Sequence, residues 1–124
     1  MGRYYDGDIE GKFWFAIQDS NAADRFGVEG CEPNYLNYYF DKSNLDDIQN
    51  EIAQIKKNLR GYKTKIDKFF GNGRAYTHEQ LAEFLGVDLE RCRYLLSEYA
   101  DLGLGQKILN CVKQNGYCEF RAEL

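Results

Sequence analysis

The sequence predicts an α+β fold: a small three-stranded sheet (about 12–18, 35–41 and 117–124), a long helix (about 44–70), and two or three shorter helices packed on one face. Three observations predict it. Apolar and polar side chains alternate in three separate segments, as half-buried strands require. Between the second and third of these, apolar residues recur at spacings of three and four, the helical signature. Capping and turn residues stand where each pattern stops.

Ahead of the first strand lies DGDIEG, Asp6–Gly11, with carboxylates at loop positions one, three and five and glycine at six. That is the opening half of an EF-hand, which needs a bidentate glutamate at position twelve. Ile17 occupies that position, so the stretch is expected to be an acidic turn and no metal site. Residues 12–18, KFWFAIQ, place Phe13, Phe15 and Ile17 on one face and Lys12, Trp14, Ala16 and Gln18 on the other. Residues 19–34 hold the only proline, Pro33, and read as an irregular loop, with one helical turn begun by Ser20 or Asn21. The second strand turns Leu36, Tyr38 and Phe40 one way and Tyr35, Asn37 and Tyr39 the other.

From Ser43 the period changes. Leu45, Ile48, Ile52, Ile55, Leu59, Tyr62, Ile66 and Phe69 form an unbroken a/d pattern. Acids gather near its start and Lys56, Lys57, Arg60, Lys63, Lys65 and Lys68 in its second half, which complements the helix dipole. Gly61 predicts a continuous or mildly kinked helix at that point. GNG at 71–73 stops it. Thr77 and Gln80 make a capping box for a short helix ended by Gly86, and Asp88 caps the next, LERCRYLLSEYADLG. Residues 104–115 stand between a helix and a strand of a wing; Leu104, Ile108, Cys111 and Val112 share a helical face and Gly116 follows, which favours the helix. The final segment sends Cys118, Phe120, Ala122 and Leu124 inward and Tyr117, Glu119, Arg121 and Glu123 outward.

The chain of 124 residues has the size of one domain, 1–124, able to bury about two-thirds of its unfolded surface. No linker or repeat divides it. Charged residues at 29% and hydrophobic residues at 44% place it with globular proteins. No apolar run reaches the length of a membrane span, and no apolar leader precedes residue 12. Four cysteines without a CxxC pair are expected to be reduced, which points to the cytoplasm; pairing of Cys111 with Cys118 stays open. The net charge of −4 lies wholly in residues 1–34, which makes nucleic acid an unfavoured partner.

Chemistry-bearing patterns are few. His78 is the only histidine and opens a helix, with no thiol or serine tied to it by sequence. GNGR lacks the lysine and hydroxyl of a phosphate loop. No catalytic residue, metal or cofactor is therefore expected, and the chain is read as non-enzymatic. LAEFLGVDLERCRYLL does follow a helix-turn-helix layout through Ala82, Gly86 and Cys92. In that alternative, residues 77–100 bind nucleic acid through Arg91, Arg93, Tyr94 and Ser97, although Asp88 and Glu90 stand where phosphates would lie.

The favoured surface is the outer face of the sheet. Helices on one side leave Trp14, Tyr35, Tyr39 and Tyr117 on the other, unless the 19–34 loop folds across them. Exposed aromatics of this density mark a protein partner. Asp6, Asp8 and Glu10 would form an acidic rim beside them; with Glu29 they would make an acidic phosphate-mimic surface if clustered. Adaptors, assembly factors and virus-encoded inhibitors of larger complexes share this size and charge, which is an analogy and not a family match. A homodimer is open to the chain through the aromatic face or the heptad seam.

Overall fold

The computed structural model describes residues 3–14, 16–28, 35–71 and 76–123. Expectations for Phe15, for Glu29, Cys31 and Pro33, for residues 72–75, for Leu124 and for the Tyr35 side chain fall outside the described residues. The fold is α+β. One antiparallel sheet of four strands runs β2-β1-β4-β3, with β1 at Tyr4–Gly7, β2 at Gly11–Lys12, β3 at Tyr35–Asp41 and β4 at Tyr117–Glu123. Helices α1 (Leu45–Leu59), α2 (Tyr62–Phe70), α3 (His78–Leu85) and α4 (Leu89–Asn115) accompany it.

The extra strand is β1, which begins ahead of the segment expected to be an acidic turn and overlaps it at Asp6 and Gly7. Tyr5 is buried while Tyr4 and Asp6 face out, an alternation too short to register beside two aspartates and two glycines. Gly7 belongs there for a physical reason. Its φ of 140° suits glycine alone, and a Cβ would stand 2.6 Å from the Glu119 carbonyl oxygen.

Residues 13, 14 and 16–18, by contrast, lie outside the sheet. Ile17 and Gln18 donate their backbone N–H groups to the Trp14 carbonyl, and Ala16 turns left-handed at φ 63°. Tertiary partners produce this departure: Phe13 packs on Tyr5, Trp14 on Phe70 and Tyr99, and Gln18 Nε2 donates to Asp101 at 2.8 Å. Burial does not follow the alternation: Phe13 is inside as expected, but Gln18, expected outward, is buried as well, and Trp14 and Ile17 are both half-buried.

The expected long helix is two helices. The heptad side chains Ile48, Ile52, Ile55, Leu59, Ile66 and Phe69 are all buried, so the period is right. At the joint, Arg60 has φ 51°, ψ −132° and Gly61 has φ −72°, ψ −11°, the angles of a type II′ turn. Glycine normally takes the first of those positions; here arginine does. The seam is interior and is not open to a second copy.

Residues 104–115 are helical and continuous with 89–103, making α4 a single helix of 27 residues. Gly103 lies mid-helix, and Gly105 admits the Phe26 ring, whose Cε1 would be 2.5 Å from an added Cβ. Caps elsewhere fall as the sequence implies: Thr77 and Gln80 bond reciprocally, Asp88 accepts from Arg91 N–H, and Gly86 and Gly116 are left-handed.

The core lies between the inner sheet face and α1 and α4. Tyr38, Phe40 and Phe120 stack across β3 and β4, with Cys118 and Ala122 beside them. The 3₁₀ turn Ala22–Phe26 buries Ala23 and Phe26 on this same inner side. It does not fold over the outer face.

Candidate functional site: an open aromatic sheet face

Antiparallel pairing aligns Tyr39 with Glu119 and Asp41 with Tyr117, which brings Tyr39 and Tyr117 into diagonal contact. Their rings stack with centroids 6.1 Å apart and planes 15° from parallel. Both stay open, at 51% and 44% exposure, and Tyr4 on the same face is 51% exposed. Lys12 lies over the Tyr4 ring at 5.8 Å, and Arg121 pairs with Asp6 at 3.3 Å. The face thus carries the tyrosine pair at one end and Tyr4 at the other, with Asp6 and Glu119 outnumbering Arg121 between them. Tyr4 was not singled out from sequence, because β1 was not recognised; its signal was only the exposed register opposite Lys12.

Trp14 is not on this face. It packs edge-on to Phe70 at 5.7 Å and close to Tyr99. Tyr35 belongs to β3 by its backbone. Asp6 is tied to Arg121, Asp8 accepts from Glu119 N–H at 2.9 Å, and the Glu10 carbonyl accepts from Lys107.

Trp14 instead helps to line a cleft of about 660 Å³ with Ile17, Phe70, Tyr76, His78 and Tyr99. The Tyr99 hydroxyl donates to Asp67; burial first, and that bond second, push its pKa up to about 12. Cys92 touches the His78 carbonyl, not its ring, and burial raises the thiol. A nucleophilic cysteine needs the reverse shift. Among the described residues no group of three His, Cys, Asp or Glu side chains is arranged to hold a metal ion.

The helix-turn-helix candidates separate. Arg93 donates to the Ala16 carbonyl, and Tyr94 donates to Glu98. Arg91 lies over the Tyr94 ring at 5.0 Å and lines a hollow with Lys57, Arg60 and Asn58. Ser97 is half-buried and lines no part of that hollow.

Sequence reasoning missed a charged cluster under the 3₁₀ turn. Arg25 bonds Glu51, Glu98 and Asp101 at 2.6–2.7 Å, and Asn58 donates to Glu98 at 2.7 Å. Burial opposes the charge on Arg25, yet the three carboxylates hold its pKa above the usual value. Burial likewise works against Glu98, but Arg25 and Asn58 hold that carboxyl below its usual range. For Asp101 burial prevails over Gln18 and Arg25, and its pKa is raised. The cluster clamps the loop to α1 and α4.

Comparison with protein-family models, with curated proteins and with solved structures finds no match to this chain. None of the described helices is long and apolar enough to cross a membrane.

Proposed function

We propose that this chain is a non-enzymatic protein-binding domain, an adaptor or an inhibitor of a larger assembly, that works in the cytoplasm. The observation that carries this is the exposed Tyr39–Tyr117 stack, with Tyr4 at the far end of the same sheet face, which no described element covers. Tyrosines bury much area with few rotors to freeze, which suits a contact surface. The inner face holds the fold together, so the outer tyrosines are spare for binding. The test is capture of a partner by the native protein and by a Tyr39→Ala/Tyr117→Ala variant. Loss of the captured protein with unchanged circular dichroism supports the proposal. Equal capture by both removes it.

A nucleic-acid contact is a second reading, favoured by the convergence of Lys57, Arg60 and Arg91 on one hollow beside Tyr94. Binding there would weaken steeply with salt and be lost on replacing Arg60 and Arg91. Absence of a gel shift at low salt would remove it.

A further inference from the structure

The sheet has two edges, and they are built differently. One is β2, only two residues long and ending in Lys12. Shortness and an edge lysine are the usual protections against unwanted strand pairing. The other is β3, seven residues long, whose first six, YLNYYF, contain no charge and no proline.

The direction of the β3 backbone follows from β4. Glu119 uses its carbonyl to accept from Asp8 N–H at 2.8 Å and its own N–H to donate to the Asp8 carboxylate. Its main chain therefore faces β1. By alternation, Cys118, Phe120 and Ala122 direct theirs at β3, opposite Phe40, Tyr38 and Leu36. Asn37, Tyr39 and Asp41 are left pointing their N–H and C=O groups away from the sheet. Asp41 agrees, since its N–H donates to Asn44 Oδ1 at 3.0 Å, outside the ladder. Among the described residues, Asn37 and Tyr39 have no backbone partner on that side.

The geometry points to a second copy of this chain as the occupant of that edge, joined β3 to β3 in antiparallel fashion about a two-fold axis at Tyr38. In this register Asn37 of each copy meets Tyr39 of the other, and each of these two pairs exchanges two hydrogen bonds. Both residues project onto the outer face, amide against tyrosine ring. Leu36 would lie against Phe40 on the inner face. The only charge on the strand, Asp41, falls opposite Tyr35 at either end, so the two aspartates stay apart. No acidic or basic partner is called for; the strand complements itself. The result is a continuous eight-stranded sheet with both Tyr39–Tyr117 stacks on one surface. This interface is the edge of the sheet and not its face, so its test is separate from that of the protein-binding proposal.

Sedimentation velocity over roughly 1 μM to 1 mM measures it. A monomer–dimer equilibrium is expected, and added salt should strengthen it by screening two bodies of charge −4 each. Asn37→Pro removes the outward N–H while sparing the ladder to β4, and should abolish the dimer with the circular dichroism unchanged. If that variant fails to fold, Asn37→Lys supplies the missing edge charge and should also yield only monomer. A wild-type protein that is monomeric throughout overturns the inference and leaves the edge to strands of other proteins. A dimer that survives in the folded variants overturns it equally.

Discussion

Arg25 and Glu98 meet at 2.6 Å across the junction between the 3₁₀ turn and α4, the carboxylate almost wholly buried and the guanidinium mostly so. Glu51 and Asp101 share the same cation, so a single arginine neutralises part of a three-carboxylate cluster.

The first prediction concerns that imbalance. Glu98 is held below its ordinary pKa, so its contribution to stability is present at neutral pH and lost as pH falls through the folded value. Asp101 is raised, so its contribution is present in acid and lost as pH rises through the folded value. Arg25→Gln leaves buried carboxylates unpaired and should cost about 3–5 kcal/mol at pH 7. In that variant Glu98 joins Asp101 in favouring the protonated form. Its melting temperature should therefore rise as pH is lowered from 7 toward 5. A melting curve series across that range decides it; a uniform loss at every pH would contradict the clamp.

Two glycines in α4 should respond oppositely to alanine. Nothing lies within 4 Å of a Cβ placed on Gly103, so Gly103→Ala should stabilise by roughly 0.5–1 kcal/mol through helix propensity and reduced freedom of the unfolded chain. At Gly105 the same Cβ would stand 2.5 Å and 2.7 Å from Phe26 ring atoms and 3.3 Å from Ile52 Cγ1. Overpacking at about 1–3 kcal/mol then meets or exceeds the propensity gain, and the 3₁₀ turn must shift. Urea titration of both variants should give midpoints on opposite sides of the wild type.

Arg60 should be improvable. It holds a positive φ that glycine adopts freely and other residues adopt at a cost of about 1–3 kcal/mol. Arg60→Gly relieves this but loosens the unfolded chain by roughly 0.4–1 kcal/mol. The net expectation is a small rise in melting temperature by calorimetry. A fall would mean that the arginine side chain contributes more to the fold than its backbone costs.

What the sequence made legible was whatever depends on near neighbours. Thr77 with Gln80, Asp88, Gly86 and Gly116 declare helix ends because caps act within one turn. The inward and outward sets of β3 and β4 follow from the pleat. Trp14 was misplaced because a two-residue period assigns faces only within a strand, and residues 13, 14 and 16–18 do not form one. Phe70 and Tyr99 hold it instead, and no local pattern connects them to residue 14. Arg25 escaped for the same reason: its value lies in carboxylates brought to it by α1 and α4. Gly61 drew attention as the helix breaker, whereas the unusual angles belong to the arginine before it. The open face was visible in the spacing of Tyr39 and Tyr117, but Tyr4 became visible only with β1.

The sheet order has one more implication. β4 comes last of the four strands in sequence yet lies between β1 and β3, and supplies the ladder for both. During synthesis β3 has no partner, and β1 only the two-residue β2, until Tyr117 and the residues after it have been made. The helices, closed by local contacts, can form first; the sheet closes late, by long-range pairing, which is the slow kind. Until then the charge-free stretch of β3 has neither edge paired.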